Sequence, residues 1–411
     1  MSNLTNKKTL RDLNLDNKTV IVRFDFNCPV KAGDVTSVKR IVAALPTIKY
    51  LLDHNCKIIA LSHLSRIKSL DDINSNRKTL EPIANRLKQL LPDVEIMFET
   101  STDFNVIKDD VKQLKNKQIL LLENTRYYDV DKNNNVVKQE SKNNAELAKF
   151  WASLADVFVN DAFGTAHRAH ASNAGIATYI AESCVGFLVE KELESICKAI
   201  TNPARPYIAI LGGAKVSDKL KVINNLLDSA DKVIICGGMA YTFHKALGED
   251  IGKSLCEDDM IPTAKEILEK GKDKIVLTID CICNTKFEDT PGKVMNFGQN
   301  FGDLEGLDIG PKSIAKFYEV LDGAKTVVWN GPAGVFEFKN YAAGTKAIIE
   351  KLIELTNQGC YTLIGGGDSA SAITSLGFKE DQFSFVSTGG GASLALMENS
   401  PRFGSVPIKN K

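Results

Sequence analysis

Short apolar, β-branched runs recur along this chain with helix-patterned segments between them, and that alternation limits the fold more than any other feature. Ten runs stand out, at residues 19–24, 57–61, 118–122, 156–160, 207–211, 232–236, 274–279, 326–330, 361–364 and 383–387. Runs apolar through most of their length suit strands covered on both faces, as in parallel sheets. Between them lie one-sided stripes such as Leu147, Ala148, Trp151, Leu154 and Ala155, or Ile348, Leu352 and Leu355, which predict amphipathic helices. The pattern predicts an α/β fold of doubly wound, Rossmann-like parallel sheets. Ten strands exceed one such sheet, and 411 residues, 44% of them hydrophobic, can bury two cores.

Glycine and arginine show where the chain divides. Gly33 is the only glycine before Gly164, after which clusters follow at Gly212-Gly213, Gly237-Gly238, Gly365-Gly366-Gly367 and Gly389-Gly390-Gly391. Arg23, Arg40, Arg66, Arg126 and Arg168 all precede residue 170, and only Arg205 and Arg402 come later. Guanidinium forks hold phosphate and carboxylate, whereas bare backbone amides cradle phosphates at helix starts. Two anionic ligands, one per half, are therefore expected at strand C-termini. The expected lobes are residues 1–182 and 183–398, joined by a hinge helix over 183–200, with 399–411 a tail docking on the first lobe.

Lys+Arg at 51 balance Asp+Glu at 51, which removes the global electrostatic case for a nucleic-acid or membrane partner. Nine scattered cysteines without a CxxC argue against a disulfide framework or structural zinc, and fit a reducing cytoplasm. No stretch approaches the roughly 20 apolar residues of a membrane span, and the N-terminus reads as having no signal peptide. The segment 131–144 is Asn-rich and reads as an exposed loop.

Several motifs bear on chemistry. Residues 248–254 come within one residue of a P-loop, but no strand run precedes them, so the near match is set aside. Residues 365–370 match GxGxxA between a strand and a helix, which brings an NAD-dependent dehydrogenase into consideration, but the match stands near the C-terminus instead of opening a domain. What remains is a set of amides for a phosphate, with Asp368 beside them as a hard oxygen ligand suited to Mg²⁺. Lys215 and Lys219, four apart after Gly212-Gly213, would share a helical face if a helix begins near Ala214. Asp25 and Asn27 lie on one side of an extended segment. His63 and Arg66, then Arg126, then His167, Arg168 and His170 follow later strands. The histidines lack a carboxylate or thiol at ligand spacing, so anion binding is expected in place of zinc.

RFDFNCPV, SHLSR, LLENTR, VNDAFGTAHRAHAS, LGGAKVSDKL, GGMAYTF, WNGPAGVFE, IGGGDSAS and STGGGASL stand in this order, and together they resemble the phosphoglycerate kinase family over nearly the whole chain. The resemblance implies a two-lobed, hinge-bending, monomeric kinase of glycolysis, working on ATP, ADP and Mg²⁺ with 3-phosphoglycerate and 1,3-bisphosphoglycerate. Carried over by residue, Asp25, Phe26, Asn27, Arg40, His63, Leu64, Ser65, Arg66, Arg126 and Arg168 would bind phosphoglycerate, with Arg23, His167 and His170 completing a basic patch. Arg40, Lys215, Lys219 and the amides of Gly389, Gly390 and Gly391 would meet the transferring phosphoryl. Gly213, Gly238, Gly310, Asn330, Pro332 and Glu337 would line the nucleoside pocket, while Gly366, Gly367, Asp368 and Ser369 would hold phosphates and the metal. A catalytically inactive binding protein on the same fold is the reading from outside enzymology. The chain departs from the family at Ser65 and Ile67, where SHLGRP is common, and at Cys28, Thr278 and Ser369.

Overall fold

The computed structural model describes residues 6–398, 408, 410 and 411. The chain divides into two compact units that meet at Glu194 and Ser195. The N-terminal unit holds β1 (Thr19–Phe24), β2 (Val30–Lys31), β3 (Asp34–Val35), β4 (Lys57–Leu61), β5 (Ile96–Glu99), β6 (Ile119–Leu122), β7 (Val157–Asp161) and β8 (Glu182–Val185). Among the described residues, six of these form one parallel sheet in the order β5-β6-β4-β1-β7-β8, with β2 and β3 a separate hairpin. The central strand β1 is buried from Val20 onward because helices cover both faces, which is why its sequence is a near-continuous apolar run. Val20, Val22, Phe24, Ile41, Ile48, Ile58 and Leu121 belong to one core cluster.

The C-terminal unit holds β9 (Tyr207–Leu211), β10 (Lys232–Ile235), β11 (Ile275–Val276), β12 (Asp280–Asn284), β13 (Lys293–Asn296), β14 (Glu305–Ile309), β15 (Thr326–Asn330), β16 (Tyr361–Gly365) and β17 (Phe385–Val386). Its parallel sheet runs β11-β10-β9-β15-β16-β17, the doubly wound order, with the switch between β9 and β15. A three-stranded antiparallel sheet, β13-β12-β14, packs its own small core around Tyr241, Cys281, Cys283 and Met295.

Residues 183–200, read from sequence as one helix, separate into the edge strand β8 and a helix that starts at Phe187 and ends at Ile200. Asp161, at the end of β7, accepts from the amides of Leu188 and Val189, which sets the helix start. The boundary between units falls inside that helix. Of the expected tail, residues 399–407 and 409 lie outside the described residues. Ile408, Asn410 and Lys411 bind the N-terminal unit: Lys7 donates to the Ile408 carbonyl at 2.8 Å, and Lys411 pairs with Asp12 at 3.3 Å.

Candidate functional site

In the N-terminal unit the strand order reverses between β1 and β7, and the predicted anion-binding residues gather there and on the neighbouring strand ends. Arg23, the last but one residue of β1, is fully buried. Its guanidinium donates to Ser172 Oγ at 2.8 Å, to the Phe24 carbonyl, and meets His63 Nδ1 at 3.0 Å. Burial lowers its pKa, and the Glu140 and Asp25 carboxylates partly offset that. Asp25 pairs with Arg40, from the first turn of the helix Lys39–Asp53. Asn27 accepts from the Ser65 amide at 2.8 Å, and Phe26 stacks in the core against Phe24.

Arg126 is depressed by burial and then by Arg168, which places these two guanidiniums in one field. His63 is pushed well below its ordinary value and His170 down to about 3, by burial first and then by Arg23 and Arg126. Both imidazoles are therefore neutral at physiological pH. Arg66, Ser65 and Arg168 are exposed, Leu64 is buried, and His167 accepts from Arg168 at 3.4 Å. Ser65 adopts φ +58°, the left-handed region that favours glycine. The loop thus keeps the turn that a glycine would give it.

In the C-terminal unit the ends of β9, β10 and β15 interlock through main chain. Gly212 N donates to the Asn330 carbonyl at 2.9 Å, Gly213 N to Pro332 at 3.0 Å, and Met239 N to Gly213 at 2.9 Å. A Cβ on Gly212 would stand 2.1 Å from the Pro332 oxygen, and one on Gly237 would stand 2.6 Å from Gly213 N, so neither position accepts a side chain. Beside this weave opens a cavity of about 480 Å³ walled by Gly213, Gly238, Pro332 and Glu337, with Asp368 at its edge. Gly310 and Asn330, expected to line it, are not in its wall: Gly310 begins the helix Pro311–Leu321, where a Cβ would strike the Asp280 carboxylate, and Asn330 is buried with its oxygens on Lys219. The cavity's apolar lining comes from Tyr241, Leu255, Phe287, Leu307 and Val335, with Gly306 against the Tyr241 ring. Tyr241 and Val335 stand within the motifs GGMAYTF and WNGPAGVFE, but Leu255, Phe287, Gly306 and Leu307 carry no signal in the sequence, because scattered residues of this kind look alike whether they fill a core or line a cavity.

The two lysines differ from expectation. The helix begins at Leu220, not near Ala214, so Lys215 lies exposed in the irregular segment ahead of it while Lys219, at the N-cap, is buried. Lys219 Nζ donates to the Asn330 carbonyl at 3.0 Å and to its side-chain oxygen, and burial lowers its pKa to about 8. Gly366 adopts φ +94° and opens the helix Gly367–Ser375, whose first turn carries the exposed Asp368. Ser369 is buried, with Oγ accepting from Gly331 N at 2.7 Å. Gly390, at φ +49°, likewise opens the helix Gly391–Met397. The GxGxxA match sits on β16, the fifth strand of its sheet in chain order, whereas a dinucleotide fingerprint belongs after the first.

The family model for phosphoglycerate kinase matches residues 10–400. The chain belongs to the phosphoglycerate kinase family. It is 52% identical to the phosphoglycerate kinase of Mycoplasma pneumoniae over 409 residues, covering 98% of this chain and 99% of that protein. With that of Mycoplasmoides gallisepticum it is 54% identical over 416 residues, covering 99% of each. Among solved structures, the phosphoglycerate kinase of Coxiella burnetii superposes with a TM-score of 0.85 at 36% identity, covering 98% of this chain and 100% of that one. The Pyrococcus horikoshii enzyme gives 0.78 at 30%, covering 97% and 98%. The family's two parallel-sheet units are those described here. Among the described residues, no helix is long and apolar enough to cross a membrane.

Proposed function

We propose that this chain catalyses reversible phosphoryl transfer between MgATP and the carboxylate of 3-phosphoglycerate, giving ADP and 1,3-bisphosphoglycerate, as a monomeric glycolytic enzyme of the cytoplasm. One pairing carries the reading: a guanidinium cluster at the strand ends of the first unit, and a main-chain-walled cavity beside a buried lysine in the second. The N-terminal unit takes phosphoglycerate through Asp25, Asn27, Arg40, His63, Arg66, Arg126 and Arg168. The C-terminal unit, beyond Glu194, takes the nucleotide.

An acceptor carboxylate with a pKa around 4 is ionised at neutral pH, so the reaction needs no general base. The neutral imidazoles of His63 and His170 suit hydrogen bonding to the acceptor without adding charge. Rate acceleration then comes from holding the carboxylate oxygen in line with the γ-phosphorus, which can supply up to about 7 to 11 kcal/mol, and from donors on the equatorial oxygens. Arg40, Lys215, Lys219 and the amides of Gly389, Gly390 and Gly391 are those donors. Lys219 exchanges its Asn330 oxygens for phosphate oxygens, whose charge raises its pKa again. Asp368 is an exposed carboxylate at the cavity edge, a donor that fits Mg²⁺, with the Gly366 and Gly367 amides and Ser369 beside it. The metal, when bound with nucleotide, neutralises charge on the phosphate oxygens.

The test is incubation with MgATP, 3-phosphoglycerate and hydroxylamine, which traps an acyl phosphate. Equal amounts of ADP and hydroxamate, both dependent on phosphoglycerate, are expected; ADP without hydroxamate would refute the carboxylate as acceptor. Arg40→Ala should lower kcat by about 10² or more with a smaller effect on KM, and an effect on KM alone would remove Arg40 from the transferring group.

A further inference from the structure

Asn124 follows β6 and is fully buried beneath the basic loops. An amide side chain can accept two hydrogen bonds and donate two, and Asn124 uses all four. Its Oδ1 accepts from Leu64 N at 3.2 Å and Arg126 N at 3.1 Å, while Nδ2 donates to the Leu64 carbonyl at 2.8 Å and the Lys78 carbonyl at 2.9 Å. One side chain therefore fixes both the loop that carries His63, Ser65 and Arg66 and the turn that carries Arg126.

The same loop is held from its other end. Lys78 Nζ donates to the Arg66 carbonyl at 2.6 Å and pairs with Asp72, so its charge is already neutralised. Glu123, next in chain to Asn124, is buried and accepts from Thr79 Oγ1 at 2.6 Å and Leu80 N at 2.8 Å, which anchors the segment that Lys78 belongs to. Ser65, between the two clamps, holds its left-handed conformation with its amide on Asn27 and its carbonyl on Arg126.

We propose that Asn124 is a positioning residue for acceptor recognition, which with Lys78 sets the spacing of Arg66 and Arg126 without touching the ligand. The inference rests on the functional reading above. Because bidentate guanidinium contacts need their forks in place before the anion arrives, loosening the clamp should weaken phosphoglycerate binding and leave the nucleotide cavity alone.

The experiment measures equilibrium binding of 3-phosphoglycerate and, separately, of MgADP to the full chain and to Asn124→Ala. The result expected is phosphoglycerate affinity about 30-fold weaker, MgADP affinity within twofold of the parent, and a kcat at saturating phosphoglycerate that falls far less than KM rises. Phosphoglycerate affinity within threefold of the parent would overturn the proposal, as would equal weakening of both ligands, which marks a general loss of structure. Should Asn124→Ala fail to fold, Lys78→Met decides: a rise of about threefold or more in the phosphoglycerate KM, reversed in Lys78→Arg, supports the clamp, and an unchanged KM overturns it. A parent protein that binds MgADP but not phosphoglycerate would instead refute the functional reading, and the two failures are thereby distinct.

Discussion

Lys219 should make the folded protein less stable than it would be without it. Its ammonium is buried and its pKa falls from 10.5 to about 8, with burial the main cause. A folded-state pKa below the unfolded one means that the unfolded chain binds more protons between those values, so stability rises with pH across that window and is lost as pH falls through 8. The drop corresponds to roughly 3 kcal/mol at neutral pH. Replacing the ammonium by methionine removes that penalty but leaves the two Asn330 oxygens without their donor, at about 1 kcal/mol each. Lys219→Met should therefore stabilise the C-terminal unit by about 1 kcal/mol at pH 7 and lower kcat by about 10² or more. Trp329 adjoins Asn330, is buried, and donates to the Gly331 carbonyl at 2.7 Å, so its fluorescence reports on this region. Urea unfolding followed through Trp329 in a Trp151→Phe background, at pH 7 and at pH 9.5, supplies the measurement. The advantage of the variant should shrink or reverse at the higher pH. A gain that is the same at both pH values would show that the lysine's charge is not its source.

Three further outcomes follow from the geometry. Ser65→Gly should raise thermal stability by about 0.5 to 1 kcal/mol, since the position already sits at φ +58°; differential scanning calorimetry showing a loss would contradict the reading of that turn. Gly306→Ala should weaken MgADP binding about tenfold or more, because the new methyl would stand 2.1 Å from the Tyr241 hydroxyl in the cavity wall; titration calorimetry with unchanged affinity would show that the ring gives way freely. Asp161 is buried and raised to about 6 by desolvation, so its contribution to stability is full below the unfolded value near 4 and is lost as pH rises through 6. Asp161→Asn should flatten the stability profile between pH 4 and 7, and an unaltered slope in urea titrations across that range would refute the assignment.

The long central strands were legible because burial on both faces writes itself as an apolar run: residues 19–24, 57–61, 207–211 and 326–330 coincide with β1, β4, β9 and β15. The edges of the N-terminal sheet were not, although the runs 274–279 and 383–387 do contain the C-terminal sheet's edge strands β11 and β17. Ile96–Glu99 has only Ile96 buried, and Glu182–Val185 begins with an exposed glutamate, so neither reads as a covered strand. In the antiparallel sheet β13-β12-β14, Lys293 and Val294 are exposed, which breaks the apolar pattern of a strand covered on both faces. In the site, charge and glycine carried the signal. The arginines and the Gly-Gly pairs lie where strand ends put them, whereas Lys215 and Lys219 were read onto one helical face because no local feature marks Leu220 as the first helical residue. Tyr241, Leu255 and Phe287 line one cavity from positions far apart in chain, a proximity that only the strand order creates.

The interlocked glycines at the switch between β9 and β15 leave little room for change by ordinary substitution. Gly212, Gly237 and Gly331 each meet the backbone of a neighbouring loop at distances no Cβ tolerates, so a replacement at one would demand that another strand end move with it. On the function proposed above, nucleotide selectivity is not retuned there one residue at a time. The freedom to drift, or to be redesigned, lies at Leu255 and Phe287, which line the same cavity and whose side chains are exposed. A library aimed at altered base preference belongs on those two positions.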